Sequence, residues 1–266
     1  QDLQSQVDIL TFQAYIGQKK FNVVINEVVE SHELLEYRLV LLLAKQQAGI
    51  IPQDEVLEQM NSVPFENVSM NDPSSLYIGS AIFMNLGMPE KALRVLHHGS
   101  NLICDAMAVH CLLILNRLDL AGNIVRKMQN KNEDSLAYQL AFAEFCLAQG
   151  GDKLNEALNI YQELQEKYKP SALLLNGQAV ALISMGKYAE AEPLLRQALD
   201  LDPNHSESLL NMLAVSVHTG KPAEVVNRYI SQVRDCDKVH PFLASLDRMD
   251  NVFGEVSQSF APVTMR

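Results

Sequence analysis

The sequence predicts an all-α fold, a right-handed α-solenoid of paired helices with a capping helix at its carboxyl end. Three observations favour this class. Equivalent small residues recur about every 34 residues along the chain of 266, at intervals of 29, 36 and 34 from Ala92 through Ala121 and Ala157 to Ala191. Aromatic residues make up only 6% of the chain and Trp is absent. Gly and Pro together number only 22. Because sheet-rich domains usually contain more aromatic, β-branched and turn residues, an all-β fold is disfavoured.

The repeat is clearest in one helical pair, LNGQAVALISMGKYAEAEPLLRQALDLDP, residues 175–203. Gly186 is placed to end the first helix. Ala191 and Ala198 are small residues where the second helix crosses the first. Pro203 ends the second helix because proline cannot continue the hydrogen-bond ladder. These offsets are typical of a tetratricopeptide repeat.

Further pairs align with this one in both directions. Ala191 corresponds to Ala157, Ala121, Ala92 and, one unit on, Val225. The turn after each first helix then falls at Gly87, Asn116, Gly150, Gly186 and Gly220. Pro89 and Pro222 are expected at the first position of second helices, where a missing N–H is tolerated. Towards the amino end, the pattern fits one unit around residues 12–28 and a less regular pair at 33–48 and 53–60. We therefore expect one superhelical domain over residues 1–266.

Two segments depart from the repeat. Residues 61–75 mix alternating apolar residues with turn formers, which predicts a loop or a short hairpin. Residues 242–260 predict a helix whose apolar residues would cap the last repeat. The residues expected to pack there are Leu243, Leu246, Met249, Phe253 and Val256.

The charge balance limits the possible partners. The chain carries 21 Lys and Arg against 32 Asp and Glu, a net charge of −11. Nucleic-acid binding is disfavoured because it normally requires a basic surface, and any membrane association should be indirect. The four cysteines show no CxxC spacing, which favours buried thiols in the cytosol over a disulfide framework.

No motif for catalysis, cofactor binding or metal binding occurs. The sequence lacks a glycine-rich phosphate loop, a GxSxG motif and an HExxH motif. His110 lies near Cys104 and Cys111, but on a helix it points about 100° away from Cys111. We expect no enzyme activity, no cofactor and no metal.

The inner helices of such repeats carry the candidate partner groove. With the turn residues above set as position 15, positions 2, 5, 9, 12 and 13 of five units give 25 residues. Seventeen of these are apolar and none is Lys or Arg. The candidate contacts are Tyr77, Met84, Leu113, Leu140, Leu147, Leu173, Asn176, Val180, Ile183, Leu210, Ala214 and Val217. Alternatively, the register is shifted by one residue in some units, and these positions form interhelix core.

The apolar groove favours a permanent, apolar partner segment over a charged peptide. A co-chaperone that clamps an acidic peptide needs Lys and Arg in its groove, and residues 171–185 and 206–218 contain neither. A generic repeat adaptor or co-chaperone that binds a peptide segment remains the alternative function.

Several runs are not required by repeat packing, among them RLDLA at 117–121, LLLNGQAV at 173–180 and GKPAEVVNRYISQVRD at 220–235. In these runs the chain resembles the epsilon subunits of coatomer, the COPI vesicle coat. Further similarity extends over 93–134 and 146–164 and, more weakly, to 14–28. The stretch 50–73 departs most from the family.

The resemblance implies a non-catalytic subunit that binds the C-terminal region of the alpha coat subunit. It implies a role in Golgi-to-ER retrograde and intra-Golgi transport. It further implies a cytoplasmic protein that is peripheral on Golgi membranes and COPI-coated vesicles. Other coat subunits and a small GTPase would recruit it, which agrees with the acidic charge.

Overall fold

The computed structural model describes residues 2–29, 33–65, 68, 73–238 and 240–260, and these contain fifteen α-helices and no strand. The helices are α1 Asp2–Gly17, α2 Phe21–Glu27, α3 Leu35–Gln47, α4 Gln53–Asn61, α5 Pro73–Asn85, α6 Pro89–Leu96, α7 Leu102–Ile114, α8 Leu118–Asn132, α9 Leu136–Gln149, α10 Lys153–Tyr168, α11 Ala172–Ser184, α12 Tyr188–Leu201, α13 Ser206–His218, α14 Ala223–Cys236 and α15 Pro241–Ser259. The all-α solenoid class is confirmed.

The same tight turn ends the first helix of successive pairs. In the α11–α12 turn, Gly186 has a φ of +75°, and the Lys187 N–H donates to the Leu182 carbonyl at 2.9 Å. This bond satisfies a carbonyl that the helix end would otherwise leave unpaired. The aligned residues Gly87, Asn116, Gly150 and Gly220 also have positive φ values, of 70°, 56°, 71° and 69°. Asn116 shows that the turn forms without glycine, because Asn tolerates this left-handed conformation better than most residues.

Small residues lie where the helices approach most closely. The aligned alanines Ala92, Ala121, Ala157 and Ala191 are all 0% exposed. At two other close approaches, an aromatic ring packs against a glycine within a helix. A Cβ atom added to Gly177 would lie 2.6 Å from the Tyr161 ring, and one added to Gly79 would lie 2.6 Å from the Phe65 ring.

The chain forms two compact units, Gln1–Gln149 and Gly150–Arg266. In the first unit, buried side chains follow one another from α1 to α9, for example Ile9, Leu39, Ile82, Val109 and Tyr138. In the second unit the core includes Leu164, Leu175, Leu195, Met212 and Val215. The single domain over 1–266 stays a prediction.

Two local expectations need correction or restriction. Pro89 begins α6 as expected, whereas Pro222 precedes α14 as its N-cap residue with extended backbone. Pro193 lies inside α12. Within 61–75, α4 ends at Asn61 and α5 begins at Pro73, so helices occupy both ends of the expected loop. Residues 66, 67 and 69–72, where the hairpin was expected, lie outside the described residues.

The carboxyl-terminal helix packs only through its first turns. Leu243 is 3% exposed and contacts Leu209 and Val233, which is the only buried residue of α14. An ion pair between Arg234 and Asp247 also holds α15 against α14. Three of the expected cap residues do not pack: Met249, Phe253 and Val256 are 63%, 74% and 50% exposed. Helical spacing predicted the helix correctly, but not which of its sides would be covered.

Enlarging a helix-crossing alanine should destabilise the fold. We expect Ala191→Leu to lower the free energy of unfolding by about 1–3 kcal/mol, because the buried site has no room for the added atoms. The matched control is Ala189→Leu, the same substitution at an exposed position of α12. It should leave stability within about 0.5 kcal/mol of the native value. Urea denaturation measures both, and equal effects would contradict the crossing-point role of Ala191.

Candidate partner-binding faces

The first helix of each pair leaves one side accessible, which gives one face in each unit. We call the accessible side of α5, α7 and α9 the first face, and that of α11 and α13 the second face. The first face carries Tyr77, Met84, Leu113, Leu140 and Leu147. The second face carries Leu173, Asn176, Val180, Ile183, Leu210, Ala214 and Val217. None of these twelve, and none of the twenty-five aligned positions, is fully buried. Several of them are partly buried and pack against the core clusters, namely Tyr77, Met84, Leu113, Ile183 and Leu210. The assignment of the twelve to a partner groove stays a prediction.

Helix α11 shows why an apolar face remains accessible. Its thirteen residues include no charged side chain. Leu174, Leu175 and Leu182 are buried against neighbouring helices, whereas Leu173 on the accessible side is 56% exposed. A helix that is apolar on all sides is normally enclosed. On the accessible side of α11, Leu173 is thus exposed, while Val180 and Ile183 are only partly buried.

The first face has the same character. Ile103 and Ile114 are 53% and 56% exposed on α7. Both occupy the aligned inner positions, although neither was among the twelve candidate contacts. On the second face, Val217 is 55% exposed. Such groups of exposed apolar residues mark interaction surfaces more often than isolated ones do.

A polar pair interrupts the first face. His110 on α7 hydrogen-bonds through Nδ1 to the Glu144 carboxylate on α9. This bond raises the pKa of His110, while partial burial opposes the rise. The pair therefore contributes stability at acid pH, and that contribution is lost as the pH rises through the raised pKa. The contact links the successive inner helices α7 and α9, and its two residues lie 34 positions apart in the sequence. Sequence reasoning did not identify the pair, although this spacing was a usable signal.

A smaller polar group lies on the second face. The Asn176 Oδ1 atom accepts hydrogen bonds from Asn211 Nδ2 at 2.9 Å and from the Ser208 hydroxyl at 3.2 Å. At the end of α13, His218 stacks on the Tyr188 ring with centroids 4.4 Å apart. These contacts orient amide and imidazole groups, but none of them brings a Lys or Arg side chain to the second face.

Basic side chains are engaged elsewhere in the first unit. The carboxylate of Asp105, a residue that is only 7% exposed, accepts hydrogen bonds from Lys131 Nζ at 2.7 Å and from Lys127 Nζ at 3.2 Å. These bonds join α7 to α8 on the side away from the first face. Neither α11 nor α13 contains Lys or Arg, so the second face lacks the cations of a carboxylate clamp.

The cysteines have no reactive environment. Cys104, Cys111 and Cys146 are buried and unoxidised, and Cys236 is partly buried. Burial raises the pKa of the Cys111 thiol to about 11, so it stays protonated near neutral pH. Within the described part of the chain, no three His, Cys, Asp or Glu side chains are placed to share a metal ion. Nor is any helix there long and apolar enough to span a membrane.

Solved structures support the repeat fold. A tetratricopeptide repeat protein from Parabacteroides merdae superposes with a TM-score of 0.66 at 14% identity, covering 91% of this chain and 97% of that one. The anaphase-promoting-complex hetero-tetramer Cut9–Hcn1 gives a TM-score of 0.61 at 14% identity, covering 90% of this chain and 47% of that one. At these identities the likeness shows the fold alone.

Sequence comparison identifies the family. The profile described as coatomer epsilon subunit matches residues 1–261. Coatomer subunit epsilon-1 of Arabidopsis thaliana is 32% identical over 254 residues, covering 96% of this chain and 86% of the plant protein. Coatomer subunit epsilon of Dictyostelium discoideum is 27% identical over 262 residues, covering 97% and 87%. The chain therefore belongs to the coatomer epsilon subunit family of the COPI vesicle coat.

Proposed function

We propose that this coat subunit is non-catalytic and binds the C-terminal region of the alpha coat subunit through its two apolar faces. In this role it supports Golgi-to-ER retrograde and intra-Golgi transport. It acts in the cytoplasm, at the surface of Golgi membranes and COPI-coated vesicles. Membership of the coatomer epsilon family supports a partner within the coat.

The exposed apolar side of the inner helices is the observation that carries the proposal. Leu173, Val217 and Ile114 each expose more than half of their surface. Exposure of apolar side chains on the inner helices of each unit is unfavourable in water, and burial against a partner removes it. Interfaces of permanent complexes are larger and more apolar than those of transient ones. An obligate coat partner therefore suits these faces.

The alternative, a repeat adaptor or co-chaperone for an acidic peptide, is less well supported. Such a clamp needs Lys or Arg directed at carboxylates, and α11 and α13 carry neither. Asn176 of the second face hydrogen-bonds to Asn211 of α13, but this pair carries no net charge.

Recruitment to the membrane is indirect in this proposal. The net charge of −11 disfavours contact with anionic lipid headgroups. Other coat subunits and a small GTPase bring the chain to the membrane. The faces then serve the assembly of the coat rather than its attachment to lipid.

A carboxylate on the second face should abolish binding without unfolding the chain. We expect Val180→Asp and Leu210→Asp to keep a Tm close to the native value, because both positions are partly exposed in the free protein. Partner binding would bury the carboxylate unpaired, which is strongly unfavourable. Calorimetric titration with the C-terminal region of the alpha subunit measures the loss, expected to exceed a hundredfold in affinity.

The control is Gln197→Asp, a carboxylate at an exposed position of α12. It should preserve both the Tm and the affinity. If Val180→Asp and Leu210→Asp bind the alpha subunit normally, the second face is not the binding site. If Val180→Asp unfolds the free chain, position 180 acts as core.

Binding of the alpha subunit should also depend weakly on salt. Coulombic attraction is screened as ionic strength rises, whereas apolar burial is not weakened by moderate salt. Because neither helix of the second face contributes Lys or Arg, we expect less than a tenfold change in affinity between about 0.05 M and about 0.5 M NaCl. A hundredfold loss, about 2.7 kcal/mol, would contradict an apolar interface and favour the charged-peptide alternative.

A further inference from the structure

The outer part of α15 carries a stripe of large apolar residues with no covering element among the described residues. Its members are Met249, Val252, Phe253, Val256 and Phe260, with exposed fractions of 63%, 53%, 74%, 50% and 81%. The two apolar faces described above do not include this helix. The stripe is therefore a separate surface that the proposed binding of the alpha subunit leaves unused.

The spacing of the stripe fits a second helix. At 3.6 residues per turn, Met249, Val252 and Val256 lie roughly 120–180° around α15 from the buried Leu243, and the exposed Phe253 lies roughly 80° from it. Intervals of three and four residues form the seam by which one helix packs along another. The seam thus faces away from the rest of the second unit.

The charges beside the seam indicate which helix would pack there. Arg248 and Glu255 lie two turns apart on the same edge of the stripe, and the described structure gives neither of them an ion pair. When two such helices pack antiparallel, equivalent edges face each other. Arg248 of each copy then lies opposite Glu255 of the other, so that two ion pairs form. A parallel pair would instead set this edge against the edge that carries Phe253.

We infer that α15 is a self-association surface, at which two copies of this chain pack antiparallel about a twofold axis. The same patch serves both copies, as closed twofold symmetry requires. Met249, Val252, Phe253 and Val256 form the apolar contact, and the two Arg248–Glu255 pairs set its direction.

This contact should be weak in dilute solution. A few side chains per copy bury much less than the roughly 800 Å² per partner of a standard interface. We expect a dissociation constant of about 0.1–1 mM. A coat holds many copies close together, which raises their effective concentration and allows a weak contact to form. The contact would then link neighbouring coat complexes laterally.

Sedimentation equilibrium of the full chain over a range of concentrations tests the inference. The native chain should show a monomer–dimer equilibrium, and Phe253→Ser should weaken it at least tenfold. The control is Leu201→Ser, which also removes an exposed apolar side chain, 55% exposed at the end of α12. It should leave self-association unchanged. A native chain that stays monomeric at about 1 mM would overturn the inference.

Charge reversal tests the antiparallel arrangement. Arg248→Glu and Glu255→Arg should each weaken the dimer about tenfold. The double variant should restore it, because each reversed residue again meets an opposite charge. A double variant as weak as the single ones would overturn the antiparallel pair.

Binding of a second copy at α15 can also be distinguished from binding of the alpha subunit there. The Val180→Asp variant should dimerise normally, so that failure of the proposed function and failure of this inference give different results. If the C-terminal region of the alpha subunit dissociates the dimer and Phe253→Ser weakens its binding, α15 docks the alpha subunit and the inference is overturned.

Discussion

The close approach of paired helices is the constraint on which the structure depends. Where two helices cross, one of them presents only a methyl group, as at Ala121 and Ala191, or a hydrogen atom, as at Gly177 beneath the Tyr161 ring. The helix axes can then come near enough for their larger side chains to interdigitate. A turn with a left-handed residue, such as Gly186 or Asn116, returns the chain at the angle that this packing needs.

This packing also produces the partner-binding faces. An inner helix such as α11 contacts its own partner α12 and the inner helix α13 of the next pair, so most of its circumference is buried. One side remains open, and there the sequence keeps Leu173 and Val180 where a solvated helix would carry charge. The polar contacts of these faces, His110 with Glu144 and Asn176 with Asn211, are satisfied within the chain. Partner binding by these faces would therefore depend mainly on the burial of their apolar area.

Much of the fold could be predicted because repeat packing requires similar residues at equivalent positions of each helical pair. Aligning Ala191 with its counterparts placed Asn116 at a turn position, and the turn has the expected positive φ. The positions that this register assigns to the inner side are exposed or partly buried. The register could not show which accessible side chains would pair, as His110 and Glu144 do, because this depends on rotamers. The expected inward packing of Met249 and Val256 was wrong, because their apolar spacing on α15 suits packing inward or outward equally.

Stability in such a stack is local, because each pair is held mainly by its neighbours. Seven residues of α11 are buried, whereas α14 buries only Val233 and α15 only Leu243. Amide hydrogens at the carboxyl end should thus exchange with solvent through openings that leave α11 and α12 folded. A helix that detaches in this way can change its angle while the rest of its unit is unaffected. In a curved coat, this change in the angle of α15 would let two copies of the chain meet at α15 even where the distance between them varies.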